Sequence, residues 1–409
     1  MKTEFQGTPA AFVAALKDVL KEMAHPVALH EPRFTGNEWA YVKDCLDSGY
    51  VSTVGRYVER FEQGLAAYTG AGFAVAVASG TAAMHLCLKL AGIGPGDEVL
   101  TPALTFVATA NAVCYCGAMP HFVDCSGESL GVDPDKLGGY LKEIAVLKDG
   151  LCHNKQTLRP IKALVVMHTF GHPADLQPLL AVCRQYGLVL VEDAAESLGS
   201  YYRDRHTGRF GKLAAMSFNG NKIITTGGGG AILTDDEALA KAAKHISTTA
   251  RRQHRWAFVH DQVGYNYRMP NLNAALGCAQ LEQLDRFIRD KRALADKYRQ
   301  AFENMRGVTF FVEPSYARSN YWLNACILSE ENAALRDEIL TRTNDAGLMT
   351  RPVWVLMHQL VIFQGCPRMD LSTSESLERR IINIPSSAFL GEASYEQGAG
   401  GEQCQKYVW

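Results

Sequence analysis

The sequence predicts an α/β protein, with a mostly parallel sheet covered by helices on both faces and a smaller α+β domain after it. Three observations carry that expectation. From about residue 70, short apolar runs alternate with segments of helical character. Such alternation of buried strands and helices is the pattern of a parallel sheet with right-handed crossovers. At 409 residues, 47% of them hydrophobic, the chain can bury a large core and divide into two domains.

Taken in order, AAFVAALKDVLKEMA (10–24) places Phe12, Val13, Leu16, Val19, Leu20 and Met23 on one helical face and so predicts an amphipathic helix that docks on the body of the protein. FAVAVAS (73–79) reads as a buried strand and TAAMHLCLKLAG (81–92) as the helix after it. DEVLTP, AMPHFVDC, ALVVMHTFG and LVLVEDAAES supply four more strands, and LAAMSFN and GAILTD continue the series. A long helical segment, AQLEQLDRFIRDKRALADKYRQAFENM, then leads into GVTFFVE, YWLNACILS and IINIPSS, an α+β pattern. The expected divisions are an N-terminal helix and arm (1–35), a large domain (36–280) and a small C-terminal domain (281–390). The polar, glycine-rich stretch 391–409 reads as a mobile tail.

The charge balance excludes several functions. A formal net charge of −2 gives no global field for drawing in nucleic acid or an anionic membrane. Eleven cysteines are scattered without repeated spacing, and Cys114-x-Cys116 has no partner motif that would make a metal site. Without a signal peptide or long apolar run, the expectation is a cytoplasmic enzyme with reduced thiols.

In parallel sheets ligands bind at the carboxyl ends of strands. Three such ends hold chemistry. Ser79-Gly80-Thr81 joins a buried strand to a helix; its N–H groups and hydroxyls suit an anion, though Thr81 could equally cap the helix. Asp193 closes LVLVED; a carboxylate there needs a partner, such as a protonated ring nitrogen, unless it caps the next helix. Lys222 lies in SFNGNKIITTGGGGAI, where the glycines come after the lysine and Ile223 is next to it, the wrong order for a nucleotide-triphosphate loop. A lone lysine is usually a surface residue, but beside an anion turn and a buried aspartate it suggests a Schiff-base lysine. The glycine run would let the backbone pass close to a planar ligand. Pyridoxal phosphate (PLP), an aldehyde with a ring nitrogen and a phosphate, uses all three strand ends.

From about His30 to Ser387 the chain resembles the DegT/StrS sugar-nucleotide aminotransferases, PLP-dependent enzymes of fold type I. ASGTAAMHL is similar to their phosphate turn, TPALTFVATANAV to the segment with the ring-stacking aromatic, and VEDAAESLG to the aspartate motif. SFNGNK is similar to the serine-and-lysine motif, and GYNYRMPNLNAALG to the segment lent by a neighbouring subunit. The resemblance implies that Lys222 carries the Schiff base, Asp193 pairs with the pyridine nitrogen and Phe106 stacks on the ring. Gly80, Thr81 and Ser217 would hold the phosphate, with Asn266 reaching it from the other chain of a homodimer. Glu196 stands where many relatives have Gln or His near the cofactor hydroxyl.

HEPRFTGNEW, GYVSTVGRYVERFE and RPVWVLMHQL look most like the subgroup that aminates C4 of nucleotide-linked 4-keto-6-deoxy sugars. Within it the resemblance is to legionaminic-acid and bacillosamine-type enzymes. It implies L-glutamate as donor and a UDP- or GDP-2-acetamido-2,6-dideoxy-hexos-4-ulose as acceptor. A GDP-perosamine synthase-like reaction on GDP-4-keto-6-deoxymannose is the alternative. Arg251 and Arg252 could meet the diphosphate through charge-assisted bonds, or line a solvated loop. His358 lies in a segment similar to one near the substrate, and could equally be a packing residue. A nicotinamide-dependent oxidoreductase should carry G-x-G-x-x-G where SGTAAM stands. A non-catalytic binding protein would be expected to lack Lys222 or Asp193, and both are present.

Overall fold

A computed structural model describes residues 9–20 and 26–392. The expectations for Met23 and for the tail from residue 393 onward lie outside them. Seven strands form the path of the main sheet: β1 (Phe73–Val77), β2 (Glu98–Pro102), β3 (Met119–Val123), β4 (Pro160–Met167), β5 (Val189–Asp193), β6 (Leu213–Ser217) and β7 (Gly230–Thr234). Their order is β1-β7-β6-β5-β4-β2-β3. β7 runs antiparallel to both its neighbours, and every other pairing in the path is parallel. A hairpin, 145–148 with 151–154, joins β4 at its start and completes nine strands.

Burial explains the apolar runs. Every residue of β2 and β7 is buried, and all but the first of β1, β3 and β5. Helices α2 (Glu38–Ser48), α3 (Arg56–Thr69), α4 (Gly80–Leu90), α5 (Val107–Tyr115), α6 (Pro134–Ile144), α7 (Leu176–Tyr186) and α8 (Glu237–Ser247) accompany the sheet. Glu98 is buried on β2, and is tolerated because His121 Nδ1 lies 2.8 Å away and Asn154 donates to it at 3.0 Å.

The long helical segment is interrupted near its start: it takes in the end of α9 (Asn271–Leu281) and then α10 (Leu284–Phe302). The residues at the join are polar and committed elsewhere. Glu282 accepts from Tyr41 and Arg60, and Gln283 donates to Glu38 at 2.6 Å. Helical periodicity alone runs straight through that break.

Beyond it, β8 (Val308–Phe310), β9 (Asn324–Leu328), β10 (Arg351–Pro352) and β11 (Ile381–Ile384) make a second, antiparallel sheet in the order β8-β9-β11-β10. Two further helices, α11 (Arg336–Asp345) and α12 (Ser372–Glu378), belong to this region. The N-terminal helix α1 (Pro9–Val19) docks here and not on the main sheet. Phe12 and Leu16 are fully buried against α10, with the Phe12 and Phe302 rings 5.1 Å apart. Val27 exchanges backbone bonds with Gly347 and Met349, so this stretch too is joined to the C-terminal part.

Candidate active site

A cavity of about 290 Å³ opens at the carboxyl ends of the main strands. It is lined by Ser79, Gly80 and Thr81 beyond β1, Met167 at the end of β4, Asp193 at the end of β5, and Ser217 at the end of β6. Phe106 and Glu196 also line it, as does Lys222, which lies beyond β6. Seven of the residues singled out in the sequence (Gly80, Thr81, Phe106, Asp193, Glu196, Ser217 and Lys222) therefore meet in one place.

The turn after β1 is capped by Ser79, not by Thr81. Its hydroxyl accepts from Ala82 N–H at 3.1 Å, and the helix begins at Gly80. Thr81 is thus left facing the cavity in the first turn of α4, where backbone N–H groups and the helix dipole favour an anion. Gly80 has to be glycine: a Cβ there would lie 2.7 Å from Ser217 Cβ. Gly230 has the same constraint, since its Cβ would meet the Ser79 carbonyl carbon at 2.5 Å. Gly230, the last of the glycine run, therefore lets β7 pass directly beside the anion turn.

Asp193 is 7% exposed and caps no helix, because it is succeeded by a turn. Its Oδ2 accepts from Thr109 Oγ1 at 2.7 Å and its Oδ1 from Ala195 N–H at 3.2 Å. Two donors from two elements fix the carboxylate's direction without neutralising it.

Glu196 is 3% exposed, with Oε1 3.1 Å from Lys222 Nζ. Its Oε2 accepts from Phe170 N–H at 2.9 Å. Phe170 sits at φ 58°, ψ 15°, a left-handed conformation that costs a side-chain-bearing residue about 1–2 kcal/mol. Burial pushes the Glu196 carboxyl up to about 7, against the opposing pull of the Lys222 ammonium and the Phe170 N–H.

The structure also adds residues that the sequence reading missed. Trp322 and Trp354 come from the C-terminal part and line the cavity. The Lys222 ammonium sits 3.9 Å from the centre of the Trp322 ring. Trp354 packs edge-on to Phe106, with ring centres 6.2 Å apart. Thr109, which orients Asp193, lies within TPALTFVATANAV, but its role needs the 84-residue separation to be closed. No local pattern marks any of the three.

Four candidates lie away from the cavity within a single chain. Asn266 is exposed, bridged through its backbone to Thr248. Arg251 and Arg252 are exposed on a two-stranded ribbon with 259–260, and the Arg251 guanidinium covers the Phe258 ring at 4.2 Å. His358 does not line the cavity. It is buried with Nε2 3.1 Å from Glu375 Oε1, which fits the packing alternative.

The set fits pyridoxal phosphate. A lysine amine, a directed carboxylate and an anion turn whose Gly80 has no room for a Cβ share a cavity rimmed by a half-exposed aromatic, Phe106. Comparison with known proteins places the chain in that class: it is a PLP-dependent sugar aminotransferase. It belongs to the DegT/DnrJ/EryC1/StrS aminotransferase family, whose profile matches residues 32–397. It is 35% identical over 374 residues to a GDP-perosamine synthase of Caulobacter vibrioides, covering 91% of this chain and 96% of that one. The spore coat polysaccharide biosynthesis protein SpsC of Bacillus subtilis is 34% identical over 359 residues, covering 84% of this chain and 88% of SpsC. Among solved structures, the aminotransferase TlmJ of Streptoalloteichus hindustanus superposes with a TM-score of 0.78 at 28% identity, over 88% of this chain and 93% of TlmJ. Among the described residues no helix is long and apolar enough to cross a membrane.

Proposed function

We propose that the protein moves an amino group from L-glutamate to C4 of a nucleotide-linked 4-keto-6-deoxy sugar, working as a homodimer. The observation that carries this reading is the meeting of the Lys222 amine, the Asp193 carboxylate and the first turn of α4 in one cavity. Bound PLP supplies a ring into which negative charge at the reacting carbon can spread. Lys222 would be the nucleophilic amine that holds the cofactor and, once freed, takes and returns the proton. Asp193 holds a proton on the ring nitrogen by ion pairing, with Thr109 and Ala195 keeping its oxygens in line. The turn at Gly80 and Thr81, with Ser217, would hold the cofactor phosphate, and Phe106 would stack on its ring. Glu196 would meet the cofactor hydroxyl. Asn266 would reach the phosphate from a second copy, and Arg251 and Arg252 would meet the nucleotide diphosphate.

Two acceptors are supported by different observations. The 35% identity to a GDP-perosamine synthase favours GDP-4-keto-6-deoxymannose. The resemblance, within the subgroup marked by HEPRFTGNEW, GYVSTVGRYVERFE and RPVWVLMHQL, to legionaminic-acid and bacillosamine-type enzymes favours a UDP- or GDP-2-acetamido-2,6-dideoxy-hexos-4-ulose. The test is an absorption spectrum of the protein with PLP before and after L-glutamate, then with each keto sugar and mass analysis of the product. A glutamate-driven loss of the bound-cofactor band, restored by one sugar class with gain of an amino group, is the expected result. A band indifferent to every amino donor would sink the reading.

A further inference from the structure

Lys222 and Trp322 are one hundred residues apart in sequence, yet the lysine's amine lies over the indole ring. Trp322 is anchored at three points. Its Nε1–H donates to the Asn221 carbonyl at 2.7 Å, beside Lys222 itself. Its backbone N–H donates to Asn320 Oδ1 at 2.8 Å, and its carbonyl accepts from Lys291 Nζ at 3.0 Å. Lys291 is wholly buried, and its remaining identified bond goes to the Ser386 carbonyl. The same amine also lies 3.1 Å from Glu196 Oε1.

Asn320 joins the amine's two partners. Fully buried, it accepts from Trp322 N–H through Oδ1 and donates through Nδ2 to the carbonyls of Glu196 and Leu198, each at 2.9 Å. One amide side chain therefore ties the Trp322 backbone to the Glu196 turn. The strained turn at Phe170 fixes the other carboxylate oxygen. So much buried polar structure around an amine that already has a carboxylate calls for a further purpose.

We propose that Trp322 is a positioning residue, forming with Glu196 a seat that holds the Lys222 amine whenever it is not bonded to the cofactor. The inference rests on the proposed role of Lys222 as the reacting amine. In amino transfer that amine is released and has to stay within reach to carry a proton. A flexible four-carbon stem would otherwise let it turn to water. The ring face attracts the ammonium form without giving it a proton acceptor, while Glu196 can hold the proton that the amine gives up. Lys291, in this view, is a brace: its amine serves the Trp322 backbone and takes no part in the chemistry.

The test reads the amine directly, in cofactor-free protein. The rates at which Lys222 and Lys291 are acylated by an amine-selective reagent, resolved by peptide mass analysis, are compared in wild type, Trp322→Leu, Trp322→Phe and Glu196→Gln. Removing the ring face is expected to speed Lys222 acylation about tenfold in Trp322→Leu, while Trp322→Phe stays within about threefold of wild type. Glu196→Gln should move it in the same direction as Trp322→Leu. Lys291 should stay protected throughout. In the loaded enzyme the single-turnover rate with L-glutamate should fall by a similar factor in Trp322→Leu, with cofactor retained. An unchanged Lys222 rate in both Trp322→Leu and Glu196→Gln would overturn the seat. So would parallel exposure of Lys291, which would mark Trp322 as a purely structural residue. If wild-type protein exchanges no amino group with any amino acid, the aminotransfer reading fails while the acylation comparison still stands.

Discussion

Two buried glutamates separated by a single turn of chain, Glu192 inside β5 and Glu196 just past its end, show how one sheet divides structure from chemistry. Both are almost fully buried. Glu192 is saturated: Gly208, Phe210 and Gly211 donate backbone N–H groups to it, and His168 Nε2 lies 3.0 Å away. Burial pushes its carboxyl up, but the His168 bond and the backbone donors outweigh burial, so it is held below the ordinary glutamate value. Glu196 has one backbone N–H and the Lys222 ammonium, and burial prevails, so its carboxyl rises to about 7. The number of donors separates a carboxylate that holds the fold from one that can exchange a proton near neutral pH. Asp193, between them in sequence, has two oriented donors and faces the cavity.

The most severe way to break the contrast is to remove the group that gives Glu196 its purpose. Lys222→Ala should lower turnover by at least about 10³-fold while cofactor still binds, read by steady-state kinetics beside the absorption spectrum. Glu192→Ala should act on the fold instead. It strands three N–H groups and His168, and a loss of about 3–5 kcal/mol is expected in urea unfolding. Equal losses of stability in Glu192→Ala and Glu196→Ala would remove the distinction.

A pH series sharpens the contrast, because the two carboxyls have opposite signs. Glu196 titrates in the folded protein near 7, above its ordinary value of 4.5. Its stabilising contribution is therefore complete below 4.5 and is lost as pH rises through 7. Glu196→Gln should gain stability over wild type between about pH 5 and pH 8, by up to about 3 kcal/mol in urea unfolding. Glu192, held low, contributes stability above its ordinary value and loses it in acid, so Glu192→Gln should show no gain across the same window. The smallest change is Thr109→Val. Loss of the hydroxyl at Asp193 should cost about 1–2 kcal/mol in transition-state stabilisation, visible in kcat/KM for the donor.

Much of this molecule could be read from its letters. The seven apolar runs became the strands of the main path, and the reason is local: a strand buried on both faces must be apolar along its length. Ser79-Gly80-Thr81, Asp193 and Lys222 were legible because each sits at a strand's carboxyl end, where a parallel sheet brings them together. The join between α9 and α10 was not, since side chains of α2 and α3 hold it open. Nor was the docking of α1 on the C-terminal part, because an amphipathic face shows that a helix packs and not against which partner.

What the sequence determined by itself is the alternation of strands and helices, the order of anion turn, aspartate and lysine, and the family these define. The tertiary structure decided the rest. It brought Trp322 and Trp354 from the C-terminal part to the cavity wall. It buried Glu196 with few donors and Glu192 with many, and it set Asn320 between the indole and the Glu196 turn. Periodicity and motif order are properties of neighbouring residues. Donor count, burial and the distance between two charges are properties of space, and they settle which carboxylate holds the fold and which can trade a proton.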